Sequence, residues 1–209
     1  MRPISEIAKQ FLQESILPGA FQWRLEDGAH SALTFDDGPN PEYTPRVLDL
    51  LAEHGVKATF FVVGARIEKF PDVLRRVAAE GHAIGSHTQS HRELPALSRE
   101  ELSWELATCR QNIAEVAGVD TRLVRPPRGR ISLLALHRVK ALGYKLVHWS
   151  RTYSDYRRDG REALLARMRP QPPRARDIIL LHDNNPHTVE ALQDMLPRWL
   201  ATSVTFTRL

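Results

Sequence analysis

The chain has one cysteine, few lysines and no long apolar run, and each scarcity excludes something. Cys109 alone cannot form an internal disulfide, which fits a reducing compartment. It lies in a helical pattern at 101–109, where a small buried thiol is expected rather than a nucleophile in an electropositive setting. No apolar stretch approaches the roughly 18 residues of a membrane span. The segment from Met1 to Gln10 carries no apolar signal-peptide core. A cytoplasmic location without a transmembrane segment is therefore expected. Positive charge comes mostly from arginine, with Lys9, Lys57, Lys69, Lys140 and Lys145 the only lysines behind a net charge of +4. The arginines are spread along the chain without aromatic interleaving or a nucleic-acid module, which argues against a nucleic-acid partner. An anionic substrate is compatible with this charge. Nothing in the sequence speaks to oligomeric state.

At 209 residues the chain is long enough for one sizeable core, and a single domain is expected. Strand-like runs at 31–35, 58–63, 83–84, 123–124, 145–148, 178–181 and 204–207 alternate with helical patterns. The helical patterns fall near 44–54, 71–80, 98–117, 133–142, 161–169 and 188–200. This alternation predicts an α/β fold with a parallel sheet, open or closed into a barrel, whose chemistry sits at the C-terminal strand ends. Val47, Leu48, Leu50 and Leu51 form one apolar helical face, stopped by Gly55. Ser98 with Glu101 predicts a capping box before the longest helix. Residues 1–30 read as an N-terminal extension and 31–209 as the main domain. In the extension, Ile4, Ile7, Ala8, Phe11, Leu12 and Ile16 can share a helical face. Packing on the barrel is preferred to membrane-surface docking, because the polar face is not strongly basic.

Five segments carry chemistry, each just after a predicted strand. Thr34-Phe35-Asp36-Asp37-Gly38-Pro39 delivers two adjacent carboxylates to a strand end, where one can bind a cation and the other stay free as a base. The same residues also suit an ordinary turn. His87 and His91, spaced i and i+4, would project from one side of a helical turn, and with a carboxylate would make a two-His, one-carboxylate metal set. Arg125, in Arg125-Pro126-Pro127-Arg128-Gly129, offers a fixed guanidinium that could hold a catalytic carboxylate bidentately. The Pro-Pro pair and Gly129 would shape a loop presenting N–H groups to an oxyanion, or simply connect strand to helix. Trp149 and Tyr156 could wall a pocket or belong to the core, and Asp155 could pair with Arg125. His182, at the end of the apolar run 178–181, supplies the proton donor that a hydrolase with a base at Asp36 still needs.

In order and spacing, these segments resemble the five motifs of the NodB-homology polysaccharide deacetylases, carbohydrate esterase family 4. The resemblance runs from Thr34 to His182 and is most specific at the TFDDGP segment and the His-x-x-x-His pair. It implies a distorted (β/α) barrel with fewer than eight complete units and about seven parallel strands. It implies Asp36 as general base, Asp37, His87 and His91 as metal ligands, and His182 as general acid. Arg125 would pair with Asp36, Asp155 would orient Arg125, and Leu180 would line the acetyl pocket, with Pro126, Arg128 and Trp149 also against the substrate. The implied activity is metal-dependent removal of an N-acetyl group from an amino sugar or its oligomers and polymers. The metal would be Zn²⁺ by ligand type, with Co²⁺, Ni²⁺ or Fe²⁺ able to fill the same set. A deformylase or other amidase acting on a lipid- or nucleotide-linked sugar is one alternative, and an inactive carbohydrate-binding module another. Arg128 departs from the resemblance, standing where the family usually has Tyr. It directs attention to an anionic group on the carbohydrate substrate.

Overall fold

Eight short parallel strands make the framework of the computed structural model, which describes residues 5–26, 28–202 and 204–209. They are β1 (Phe21–Gln22), β2 (His30–Gly38), β3 (Thr59–Val62), β4 (Ala83–Ser86), β5 (Leu123–Val124), β6 (Lys145–Val147), β7 (Arg151–Thr152) and β8 (Ile178–His182). Their order across the curled sheet is β1-β6-β5-β4-β3-β2-β8-β7, and β9 (Thr205–Phe206) pairs with the start of β2. The helices are α1 (Glu6–Phe11), α2 (Tyr43–Glu53), α3 (Gly64–Ile67), α4 (Pro71–Ala79), α5 (Arg99–Ala117), α6 (Leu133–Ala141), α7 (Arg161–Met168) and α8 (Pro186–Ala201). The expected α/β barrel of about seven strands is thus an incomplete barrel of eight. β1 and β7 are not among the expected strands; each is only two residues long, and Gln22, Arg151 and Thr152 give no apolar β-like run.

Alternation along β2 and β8 separates core from site. Leu33, Phe35, Ile179 and Leu181 pack outward in one cluster with Val47, Leu48 and Leu51 of α2 and Leu192 and Leu196 of α8. Each such side chain contributes about 1.5–3 kcal/mol when fully buried. Ala32 and Ile178 point the other way, into an inner cluster with Phe61 and Val147. With a period of two, Thr34, Asp36, Leu180 and His182 share that inner face. The register aligns Thr34 with Leu180 and Asp36 with His182. The polar strand residues therefore meet inside the sheet's curl, at its C-terminal end.

The capping box at Ser98 and Glu101 forms as expected, and Cys109 is buried, its thiol pushed up to about 11 by that burial. The N-terminal segment differs from expectation. After α1 the chain widens into a π-helical turn, Leu12–Ile16, which breaks the 3.6-residue repeat. Lys9 and Leu12 face inward, whereas Ile7, Phe11 and Ile16 are exposed; Ile4 lies outside the described residues. Lys9 is buried by its aliphatic stem, and its ammonium reaches the Trp149 carbonyl (3.0 Å) between the rings of Trp23 and Trp149. Desolvation lowers its pKa to about 8. Further along, Phe21–Gln22 joins the sheet beside β6, so the segment before residue 31 supplies a strand as well as a packing layer.

Candidate active site

Adjacent strand residues normally face opposite sides, yet Asp36 and Asp37 serve one cavity. A register shift explains this: Asp36 pairs with Phe61 and Gly38 with Val62, leaving Asp37 as an extra residue in a β-bulge. Asp37 takes a left-handed conformation there (φ 73), which turns its carboxylate toward the same opening. Asp36 is 3% exposed and is held from below by Arg125, which is fully buried.

The Arg125 guanidinium collects partners from several strands. Nη1 donates to Asp36 Oδ1 (2.8 Å) and Thr34 Oγ1 (2.6 Å), Nη2 to the His148 carbonyl (3.2 Å), and Nε to the Val147 carbonyl (3.4 Å). Its flat face lies 4.1 Å from the Phe61 ring centroid. The grip on Asp36 is through one nitrogen, not the expected bidentate fork, because Nη2 and Nε are turned to the strand-end carbonyls. Thr34, which the sequence reading left without a role, passes the network on by donating to the Ile179 carbonyl (2.6 Å).

His87 and His91 do converge, with ring centroids 5.0 Å apart, but not on a helical turn. They flank a loop after β4 in which Thr88 (φ 67) and His91 (φ 60) are both left-handed. Glu105 of α5 anchors this loop. It is 1% exposed, and its carboxyl accepts the Ser90 N–H (2.8 Å) and the Ser90 hydroxyl. Sequence reasoning missed Glu105, since a glutamate in a charged helical stretch looks solvated. Glu105→Leu takes the charged acceptor away from both the Ser90 N–H and its hydroxyl, beside His91. Urea unfolding should show a loss of about 1–3 kcal/mol.

Asp37 Oδ1 stands 3.6 Å from His87 Nε2 and 3.2 Å from His91 Nε2. One ligand atom from each of the three residues lies within 4.8 Å of the others. Atoms about 2.0–2.1 Å from a tetrahedral zinc ion sit about 3.3 Å apart. The set therefore fits a single divalent cation with little movement. His87 Nδ1 lies 2.9 Å from the Arg125 carbonyl, a partner that leaves Nε2 as the free lone pair. Burial lowers the His87 pKa, favouring the neutral form a metal needs. For Asp37, burial alone would raise the pKa. The His91 hydrogen bond and the charges of His87, His182 and His91 outweigh it and hold the carboxyl well below the ordinary range.

His182 approaches the carboxylates from β8, opposite the histidine loop. Asp155, expected to orient Arg125, holds His182 instead. Its Oδ1 faces His182 Nδ1 (2.9 Å), and its Oδ2 accepts the His182 N–H (2.7 Å) and the Thr188 hydroxyl (2.9 Å). Arg125 directs its side-chain bonds to Asp36, Thr34 and the two carbonyls, and none of them goes to Asp155. Burial works against protonation of His182, but the bond and charge of Asp155, with Asp36 and Asp37, raise its pKa to about 9. The ring keeps Nε2 for the cavity. Asp183, next in the chain, is fully buried under Gly38, with its pKa raised to about 7 by desolvation and its carboxyl bonded to Thr44.

The loop after β5 frames the remaining side. Pro126 and Pro127 are buried, and the N–H groups of Gly129 and Arg130 fold back to their carbonyls (2.9 and 3.1 Å). Arg128, left-handed at φ 56, sends its exposed side chain to Glu93 (3.3 Å); its N–H has no acceptor among the described residues. Gly129 is required where it stands, because a Cβ would lie 2.4 Å from Trp149 Cη2 and φ is +63. Trp149 stacks on buried His148 at 4.0 Å, so it serves as the loop's support as well as a wall. Leu180 is 4% exposed on the inner face between Thr34 and Thr152. Tyr156 is exposed and meets the His182 ring edge-on at 6.3 Å.

Known proteins are similar to this chain in sequence and in fold. The profile of the polysaccharide deacetylase family matches residues 26–147. A chitooligosaccharide deacetylase of Sinorhizobium fredii is 38% identical over 193 residues, covering 83% of this chain and 87% of that protein. A peptidoglycan-N-acetylglucosamine deacetylase of Bacillus cereus is 42% identical over 122 residues, which cover 58% of this chain and 44% of that longer protein. Among solved structures, the peptidoglycan N-acetylglucosamine deacetylase Bc1960 superposes with a TM-score of 0.87 at 30% identity, covering 95% of each chain. Bacillus subtilis PdaA, a family 4 carbohydrate esterase, gives 0.85 at 30% identity, covering 98% of this chain and 87% of that one.

Proposed function

Because the chain belongs to the polysaccharide deacetylase family, we propose that it is a metal-dependent hydrolase removing the N-acetyl group from an amino sugar within a glycan. The observation that carries this reading is the division of labour around one carboxylate pair. Asp37 faces two imidazoles, Asp36 faces a buried guanidinium, and a third imidazole held by its own carboxylate closes the opposite side. Such a set performs hydrolysis of a bond with a poor leaving group, because it provides a base and an acid separately.

A divalent cation held by Asp37, His87 and His91 would supply Lewis acidity toward the amide carbonyl and the attacking water. Two neutral imidazoles and one carboxylate favour Zn²⁺, with Co²⁺, Ni²⁺ or Fe²⁺ as substitutes. Asp36 receives the proton of the attacking water. Its Oδ1 is anchored by Arg125, and Oδ2 turns to the cavity 3.8 Å from His87 Nε2. The Arg128 N–H is the donor for the oxyanion that develops on the carbonyl. His182, with Nδ1 fixed by Asp155, delivers the Nε2 proton to the departing amine. Leu180 lines the inner face beside these groups and suits the acetyl methyl.

The finer reading concerns charge. Among the described residues the exposed Arg128 side chain pairs with half-buried Glu93 alone, and an anionic substituent on the glycan would exchange for Glu93. The test is an assay of free acetate and formate from a panel of N-acetyl and N-formyl amino-sugar oligomers, with and without a carboxylate substituent. Acetate release that a chelator stops and Zn²⁺ restores is the expected result, faster on the carboxylate-bearing members. Formate release alone, or acetate release indifferent to the chelator, would overturn it.

A further inference from the structure

We propose that Asn184 is a positioning residue for Asp37, and that Arg158 locks Asn184 in the orientation this requires. The proposal rests on the reading of Asp37, His87 and His91 as a cation site. Neither Asn184 nor Arg158 belongs to that set or to the acid–base pair.

A carboxylate can meet a cation with one oxygen or with two, and which it does depends on what occupies the second oxygen. Asp37 Oδ1 faces both imidazoles, at 3.6 and 3.2 Å. Its Oδ2 is taken: Asn184 Nδ2 donates to it at 3.0 Å. The carboxylate is thereby fixed as a one-oxygen ligand, rotated so that Oδ1 points between the two Nε2 atoms. This matters because Asp37 sits in a bulge, where neighbouring ladder bonds give its side chain little direction.

An amide could be turned either way round, presenting oxygen to Asp37 and repelling it. Arg158 removes that freedom. Its Nη2 donates to Asn184 Oδ1 (3.2 Å) and to the Asn184 carbonyl (3.3 Å). A donor at one end and an acceptor at the other is what only an amide offers, and the two contacts select the same orientation. Arg158 itself is held left-handed (φ 53) at the end of the turn Asp155–Arg157. Asp155 in that turn fixes His182, and Asn185 donates to the Asp155 carbonyl at 2.8 Å. The consecutive residues Asn184 and Asn185 thus tie the cation ligand and the holder of the acid to one short turn.

Outer partners of metal ligands typically govern affinity by about 10- to 100-fold. Titration of Zn²⁺ against a chromophoric chelator, on the purified full chain, tests the assignment. Asn184→Ala should weaken Zn²⁺ binding by about 10- to 100-fold. Asn184→Asp, which sets a carboxylate against Asp37 Oδ2, should weaken it at least as much. Arg158→Ala should shift affinity in the same direction by less. The unfolding midpoints of the metal-free variants should stay near that of the parent, since Asn184 is half-buried and Arg158 exposed. His91→Ala is the ligand control. If the parent binds Zn²⁺, His91→Ala does not, and Asn184→Ala binds as tightly as the parent, the positioning role is wrong while the site stands. If His91→Ala binds as the parent does, the cation site is wrong and the positioning role goes with it.

Discussion

Asp36→Asn is expected to lower kcat by about 10²- to 10⁴-fold, the contribution of a positioned general base, while Zn²⁺ affinity stays close to that of the parent. The separation of the two effects follows from geometry. Asp36 gives Oδ1 to Arg125 and is not the carboxylate nearest the imidazoles; Asp37 is. An asparagine of the same shape still offers a carbonyl oxygen to Arg125, but its amide has no basic lone pair for the water proton. There is a stability consequence as well. Arg125 is completely buried, and losing its carboxylate leaves an uncompensated charge, which costs about 3–5 kcal/mol in a buried pair. The remaining bonds to Thr34, Val147 and His148 reduce that cost without supplying a counter-charge. Initial rates should therefore be normalised to the folded fraction from a denaturant curve. Turnover near the parent value in folded, metal-bound Asp36→Asn would remove Asp36 from the role of base.

The contrast between what sequence revealed and what it hid has a physical pattern. Residue types that chemistry requires, two adjacent acids, a histidine pair, a strand-end arginine and a strand-end histidine, were legible because few other arrangements use them together. The devices that aim them were not. Asp37 reaches the cavity through a bulge and a left-handed backbone, neither of which has a composition signal when the residue is Asp. The i, i+4 spacing of His87 and His91 suggested a helix, but a loop with two left-handed residues brings them together. Asp155 was expected to pair with Arg125, on charge and on the family resemblance, whereas the fold bonds Arg125 to Asp36, Thr34 and carbonyls and gives Asp155 to His182. Glu105 and Asn184 were invisible for a related reason. Their roles depend on burial and on a partner far away in sequence, and a glutamate in a helix or an asparagine in a loop is ordinarily solvated. The alternation of strands and helices, by contrast, survives even in strands of four residues, because the intervening helices bury one clear apolar face each.

Asp155→Asn should act on rate and on pH dependence together. The active form of a general acid is protonated, so on the basic side kcat/KM falls as pH rises through the His182 pKa. In the metal-free site that pKa is raised to about 9, despite burial, by Asp155 and by the charges of Asp36 and Asp37. A cation bound at Asp37 disfavours imidazolium and brings the basic limb of the loaded enzyme below that value. Removing the Asp155 charge deletes the largest raising contribution and leaves burial, which lowers, in place. The basic limb must then move to lower pH, and at mildly alkaline pH the enzyme loses its proton donor. Geometry adds to the loss. Asp155 accepts three donors, the His182 Nδ1–H, the His182 N–H and the Thr188 hydroxyl, with two oxygens. Asparagine has one oxygen and turns N–H groups on at least one of them. A fall of about 10²- to 10⁴-fold is expected above neutrality, with a smaller fall at acid pH where His182 is protonated in both proteins. A kcat/KM profile whose basic limb keeps its position in Asp155→Asn would mean that the titrating acid is a group other than His182.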